Sequence, residues 1–117
     1  MKMRNTILTI IFLLSGIQSV FAHPASRVNL SFKLSDHILT VVAEHNTKNV
    51  IAHRIDQIIV QINGKEIIQQ TFIIQYDQEK QKATYLIPGA KEGDEIVVIT
   101  HCSVHGKKTG KITIEAE

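Results

Sequence analysis

The stretch "HRIDQIIVQINGKEIIQQTFII", residues 53–74, consists of two apolar segments separated by Asn63-Gly64. Asn-Gly between apolar segments is the strongest short-range signal of a β-hairpin, because a tight two-residue turn requires positive φ angles. Strand alternation in the first segment predicts one shared face for four side chains: His53, Ile55, Gln57 and Ile59. The centre of the chain is therefore expected to be antiparallel β-structure.

The segments on either side of this hairpin also alternate with period two. "RVNLSFKL" (27–34) and "HILTVVAEH" (37–45) precede it, and "ATYLI" (83–87), "EIVVITHC" (95–102) and "KITIEA" (111–116) follow it. The basic stretch "GKKTGK" (106–111) is interpreted as a solvated turn. About seven short strands with turns every 8–12 residues predict an all-β fold, an immunoglobulin-like β-sandwich. With no Trp and one Cys, the chain lacks the disulfide-Trp core of antibody domains.

Residues 1–22 have the pattern of a secretory signal peptide. Lys2 and Arg4 precede an apolar run, and "VFA" ends at Ala22 with the small residues that signal peptidase prefers. The apolar run is shorter than the ~20 residues of a membrane span. We therefore expect cleavage before His23, a single mature domain at 23–117 without a membrane anchor, and a periplasmic or secreted location.

Composition narrows the function further. Removing Lys2 and Arg4 leaves 13 − 2 = 11 basic residues against 11 acidic ones, so the net charge of the mature domain is near zero. The excess of positive charge that is typical of nucleic-acid-binding proteins is not present. The single cysteine, Cys102, cannot form a disulfide within the chain, although small exported domains often depend on disulfides. Cys102 is then buried and inert, paired with another chain, or bound to a metal. The sequence leaves homo-oligomerisation open.

Several of the six histidines fall at the ends of predicted strands, near Cys102. His45 and His53 flank one loop, and the spacing Cys102-x-x-His105 allows two ligands from one turn to reach a single ion. Imidazole and thiolate together suit iron, copper or zinc. His37 is interpreted as a turn residue, and His101 should point to the face opposite Cys102.

Two motifs resemble the superoxide reductase family, which includes desulfoferrodoxin and neelaredoxin. "EGDEIVVITHCSVHG" (92–106) is similar to the family's C-terminal motif, in which Gly-Asp leads a strand into Cys-Asn-x-His-Gly. "HNTKNVIAHRIDQIIVQINGKEI" (45–67) is similar to its His-Pro…His-Tyr-Ile segment. The resemblance covers roughly residues 23–112 and is specific at these two motifs.

The resemblance implies an immunoglobulin-like β-sandwich with one mononuclear non-haem iron, which reduces superoxide to hydrogen peroxide. It also implies four equatorial imidazoles and an axial thiolate, carried here by His23, His45, His53, His105 and Cys102. An external electron donor, which the sequence does not identify, would restore the iron. Two-iron members of the family carry a second, cysteine-rich site, which we do not expect here because one cysteine cannot form it.

The sequence departs from the family pattern at several positions. Asn46 replaces the proline after the first paired histidine, and Arg54 replaces the tyrosine after the second. The N-terminal Glu-Lys-His stretch is missing, and Lys48 is the candidate to replace the lysine that attracts superoxide. Two alternatives stay open. One is an exported module that binds or delivers iron, copper or zinc without turnover, including a Cu(II) chelate by the amine and ring of His23. The other is a purely structural β-domain.

Overall fold

The computed structural model describes residues 23–117, which form seven β-strands and no helix. The strands are β1 (Arg27–Lys33), β2 (Ile38–Glu44), β3 (Ile55–Ile62), β4 (Lys65–Thr71), β5 (Lys80–Leu86), β6 (Glu95–Cys102) and β7 (Lys107–Thr113). The predicted signal peptide and its cleavage point after Ala22 lie outside the described residues. Nothing in residues 23–117 is a helix long and apolar enough to cross a membrane.

The seven strands form two antiparallel sheets. One has the order β1-β2-β5 and the other the order β4-β3-β6-β7. The connections between sheets and the contacts of β1 with β7 close the two layers over one core. This architecture confirms the predicted all-β sandwich of seven strands with an immunoglobulin-like layout. β4 pairs with β3 and not with β5, so the sheets have three and four strands.

Strand β2 supplies the centre of the core as its alternation predicts. Leu39, Val41 and Ala43 are fully buried, and His45 follows them on the same face at 1% exposure. Because side chains two residues apart share a face of a strand, the polar ring of His45 continues an apolar row. The alternation of β2 therefore carries one imidazole into the interior at the end of the sandwich.

The face predicted for β3 is wrong beyond its first residue. Ile55, Ile58 and Val60 are buried, whereas Gln57 and Ile59 are only half-buried. The pairing of β3 with β6 shifts register between Ile55 and Gln57. Such a bulge inserts one extra residue and reverses the faces that follow it. Simple alternation cannot anticipate this reversal.

The interpretation of residues 106–111 as a solvated turn is also wrong, because Lys107 begins strand β7. Gly110 pairs with Val98 in the middle of that strand. A Cβ atom on Gly110 would lie 2.8 Å from the backbone oxygen of Val28 in the opposite sheet. A glycine within a strand marks such a close approach of another backbone. Here it allows β1 and β7 to pack directly together.

The Asn63-Gly64 turn forms as predicted, with φ angles of 49° and 83°. The Asn63 side chain donates to Asp94 Oδ1 at 3.1 Å and accepts from the Glu95 amide at 2.9 Å. A hydrogen bond from the Lys91 ammonium lowers the pKa of Asp94 to about 2. These contacts stabilise the end of β3 that lies away from His53.

Candidate metal centre

Three imidazoles meet at one end of the sandwich. His23 precedes β1, His45 follows β2, and His53 precedes β3. The ring centroid of His45 lies 4.9 Å from that of His23 and 4.7 Å from that of His53, and the His23–His53 distance is 5.2 Å. One ring nitrogen from each residue lies within 4.8 Å of the other two. We call these three residues the histidine cluster.

The loop between β2 and β3 returns the chain from His45 to His53. Asn49 organises this loop, because its Oδ1 accepts hydrogen bonds from the amides of Ile51 and Ala52 at 3.1 and 2.9 Å. The amide of His53 donates to the Asn49 carbonyl at 3.0 Å. Asparagine favours such side-chain-to-backbone turns. The turn places the His53 ring beside His45, although the two residues belong to strands of different sheets.

The buried amide of Gln75 determines the protonation pattern of His45. Gln75 Nε2 donates to the backbone oxygens of His45 and Asp77 at 2.8 and 2.9 Å. Its Oε1 accepts from the Ile55 amide at 2.9 Å. With the amide orientation thus determined, the atom 2.8 Å from His45 Nδ1 is an oxygen. Because a carbonyl oxygen only accepts, Nδ1 donates in this contact, which is shorter than the 3.2 Å contact between Nε2 and the His23 oxygen.

The other nitrogen of His45 faces the interior of the cluster. His45 Nε2 lies 3.2 Å from the backbone oxygen of His23. Burial lowers the pKa of His45 below its ordinary value of 6.5, which favours the neutral ring. With the proton on Nδ1, two lone-pair atoms then face each other. A cation bound at Nε2 would relieve this repulsion, because a neutral imidazole nitrogen is a metal ligand.

The other two rings also present an uncommitted nitrogen. His53 Nε2 is buried and has no hydrogen-bond partner among the described residues. His23 Nδ1 donates to the Pro24 carbonyl at 2.9 Å, which leaves Nε2 with its lone pair. Burying a polar atom without a partner costs about 1–3 kcal/mol. This unfavourable burial of His53 Nε2 occurs where three imidazole rings converge.

This donor set fits a metal ion. Metal-bound histidines usually donate their second ring nitrogen to a carbonyl or carboxylate, as His45 does to Gln75 and His23 does to Pro24. Three imidazoles suit zinc, copper or iron, and catalytic zinc sites combine three such ligands with one open position. At a metal–nitrogen distance of about 2.0–2.1 Å, tetrahedral ligand nitrogens lie about 3.3 Å apart. The ligand nitrogens of the cluster lie within 4.8 Å of one another, so they would have to move a short distance inward to bind a metal.

Cys102 and His105 are near the cluster but are not part of it. Cys102 ends β6, is 9% exposed, and pairs with Ile55, which lies two residues after His53. Its Sγ accepts from the Val104 amide at 3.5 Å, and His105 is exposed in the same turn. Neither contributes to the group of ligand atoms within 4.8 Å of one another. Three of the five predicted ligands thus converge, and a role for the other two stays a prediction.

The turn that follows Cys102 contacts two of the segments that carry the cluster. Gly106, at φ +82°, approaches Pro24 so closely that a Cβ atom would lie 3.3 Å from the proline ring. The Ser103 amide donates to the Arg54 carbonyl at 2.8 Å, and the Arg54 amide donates to Ser103 Oγ at 3.0 Å. The Cys-x-x-His-Gly turn is therefore packed against the residues next to His23 and His53.

A surface groove of about 790 Å³ opens beside the cluster, and His23, His53 and Lys48 line it. Lys48 is an exposed residue of the β2–β3 loop. The two histidines that the sequence analysis set aside lie elsewhere. His37 occupies the β1–β2 turn with φ 59°, and His101 pairs with Gln57 on the face opposite Cys102.

Gln75 is the residue beside the cluster that the sequence pattern did not indicate. It lies in "QYDQEKQK", which has the composition of a solvated turn, yet it is 1% exposed. Gln81 in the same stretch is 2% exposed. No local pattern distinguishes a buried glutamine from an exposed one in such a segment, because its partners lie on other strands.

No protein-family model and no curated protein matches the sequence.

Proposed function

We propose that this protein is a mononuclear metal-binding domain centred on the histidine cluster. The observation that carries the proposal is the convergence of three imidazoles in which the buried Nε2 of His53 has no hydrogen-bond partner among the described residues. An ion bound there would replace the missing partner and separate the facing lone pairs of His45 and His23. The hydrogen bonds of Gln75 and Pro24 already orient two of the rings for that purpose.

We further propose that the metal is iron and that the activity is the reduction of superoxide to hydrogen peroxide, as the family resemblance implies. The burial of Cys102 and the packing of its turn against the cluster support a thiolate ligand, with His105 as a further imidazole. Bound iron would supply one electron to superoxide, which takes up two protons from solvent, and an external donor would replace the electron.

The chain's own residues would contribute charge and orientation. Lys48 lines the groove beside His23 and His53, where its ammonium would attract a small anion toward the cluster. The Cys102 thiolate would stay deprotonated beside a cation and donate electron density, as thiolates do in other iron sites. Because the His45 ring is buried, it would limit the access of water to a bound ion from the side of the core.

A second candidate is a module that binds or delivers iron, copper or zinc without turnover. The observation that favours it is the composition of the cluster, which brings together three imidazoles without Cys102 or His105. His23 and His53 line an open groove, so an ion bound there would be accessible to exchange.

Metal analysis of the purified protein tests the binding proposal. We expect one equivalent of metal per chain, lost in His53→Ala and retained in His101→Ala, because His101 lies on the outer face of its sheet. If wild type and His53→Ala bind equal amounts of metal, the histidine cluster is not the site.

Spectroscopy and turnover then distinguish the two candidates. An iron-loaded enzyme with Cys102 as a ligand should show a visible thiolate-to-Fe(III) charge-transfer band and should reduce superoxide with a chemical reductant present. Cys102→Ser should abolish both, because a hydroxyl does not replace a soft thiolate. One equivalent of metal without the band and without turnover supports the delivery module.

A further inference from the structure

Gln75 joins the two strands that carry the buried part of the histidine cluster. Its side chain bonds the ring and the backbone oxygen of His45, at the end of β2, and the backbone amide of Ile55, at the start of β3. It therefore contacts both ends of the β2–β3 loop. His53 lies in this loop, two residues before Ile55. Its Nε2 also donates to the carbonyl of Asp77, so the oxygen and the nitrogen of the side-chain amide both have hydrogen-bond partners.

The alternative orientation of this amide is excluded by its neighbours. Rotating the group would aim its NH2 at the amide hydrogen of Ile55 and its oxygen at the carbonyls of His45 and Asp77. Each new contact would pair two donors or two acceptors in a site that is 1% exposed, and each group left without a partner there is destabilising. The oxygen is thus held against His45 Nδ1.

We propose that Gln75 is a positioning residue, which holds His45 in the tautomer with the proton on Nδ1 and so presents Nε2 to the metal. The inference rests on the proposed metal centre at the histidine cluster. A neutral imidazole carries its proton on one of two nitrogens, and the bond made by one nitrogen decides which remains free to bind a metal. Without Gln75 the proton can move to Nε2, which would then donate a hydrogen bond to the His23 carbonyl 3.2 Å away and lose the lone pair that binds the metal.

Gln81 provides a matched control for the structural effect of losing a buried glutamine. It is 2% exposed, and its Nε2 donates to the carbonyls of Ile55 and Ile74 at 3.0 and 3.1 Å. Its Oε1 accepts from the amides of Tyr76 and Lys82 at 3.0 and 3.2 Å. It thus bonds the same residue of β3 as Gln75 does, but makes no hydrogen bond to an imidazole.

The experiment combines ring tautomers with metal affinity. Nitrogen-15 NMR of metal-free protein reports which ring nitrogen of His45 carries the proton, and competition with a chelator measures the affinity for Zn(II). In wild type we expect the proton on Nδ1. In Gln75→Leu we expect it to shift to Nε2, with Zn(II) affinity reduced about 10- to 100-fold, the range for loss of an orienting partner. Gln81→Leu should keep the wild-type tautomer and bind Zn(II) within about threefold of wild type.

Gln75→Glu tests the same assignment by rescue. A carboxylate still accepts from Nδ1–H but no longer donates to the carbonyls of His45 and Asp77. We expect it to keep the Nδ1 proton and wild-type or higher Zn(II) affinity, whatever its stability. If Gln75→Leu does not fold, the tautomer in Gln75→Glu decides, and a proton on Nε2 there overturns the proposal.

Three other results overturn it: a proton on Nε2 in wild type, an unchanged tautomer and affinity in Gln75→Leu, or an equal loss of affinity in Gln81→Leu. Failure of the metal centre itself looks different, because wild type would then not bind Zn(II) at all. The tautomers of wild type and Gln75→Leu would still show whether Gln75 positions the ring.

Discussion

Replacing His53 by phenylalanine should stabilise the metal-free protein and at the same time remove its response to metal. His53 Nε2 is buried without a partner, while the ring contacts those of His45 and His23 edge-on. Phenylalanine keeps a planar ring in that space and has no nitrogen to leave unpaired. The substitution therefore separates the folding role of the side chain from its proposed ligand role.

The expected sizes follow from these contacts. Eliminating one unsatisfied buried nitrogen is worth about 1–3 kcal/mol. The slightly larger ring offsets part of this gain, since overpacking costs about 1–3 kcal/mol in a tight site. His53 is only half-buried and lines the groove, so the penalty should be at the low end. We expect a net gain of about 1 kcal/mol, which for a domain of this size raises Tm by about 4–8 °C.

The metal response should change in the opposite direction. Zn(II) at about 100 times its Kd stabilises wild type by about 2.7 kcal/mol, a Tm increase of about 10–20 °C. His53→Phe leaves the cluster two imidazoles, so the same Zn(II) concentration should shift its Tm far less. Thermal unfolding followed by circular dichroism, with zinc and with a chelator, measures both quantities. His101→Phe, on the outer face of its sheet, is the control that should respond to zinc as wild type does.

A full zinc-dependent increase in Tm in His53→Phe would contradict the ligand role of His53. A second contradicting result is a metal-free His53→Phe that is less stable than wild type, if His53→Leu, which is smaller, is less stable as well. In that case the ring of His53 would contribute to the fold through its nitrogen, and the buried Nε2 would not be an unsatisfied atom.

Two further predictions concern the scaffold. Gly110→Ala should lower stability by about 1–3 kcal/mol, because its Cβ would lie 2.8 Å from the Val28 oxygen. Denaturant unfolding measures this loss, and a stability equal to or above that of wild type would contradict the close packing of β1 on β7. Hydrogen bonds from Lys91 hold the folded pKa of Asp94 at about 2, below its ordinary value of 3.8. The stability that Asp94 contributes is therefore complete above pH 4 and is lost as the pH falls toward 2, so Asp94→Asn should flatten the pH dependence of unfolding in that window.

The fold could be predicted from the sequence where side chains alternate without interruption. Strand β2 matched its expected face from Leu39 to His45, and the Asn63-Gly64 turn formed where predicted. β3 departed because a bulge reverses the faces after Ile55, and no residue type in that stretch marks the bulge. The first half of β7, residues 107–110, was assigned to a turn because lysines and Gly110 have the composition of one, whereas the glycine is required by the opposite sheet.

The candidate site was predictable to a similar extent. The pairing of His45 with His53 followed from their positions on either side of one loop, and His23 joined them as expected. Gln75 could not have been found, because its importance comes from bonds to residues on other strands. The places of Cys102 and His105 depend on how tightly one turn closes, which spacing alone does not determine. Local pattern thus identified the ring-bearing residues, and only the packed structure revealed what orients them.

The residues that contact the His45 ring lie far from it in the sequence, and this affects the kinetics of folding. The ring bonds Gln75, 30 residues away, and faces the backbone of His23, 22 residues away. Contacts that close such long loops form late, after the strands that bring them together have paired. An ion that recognises only the finished arrangement lowers the free energy of the native state and leaves the folding transition state unchanged. Metal should therefore slow unfolding without accelerating refolding, and so lengthen the lifetime of each folded molecule.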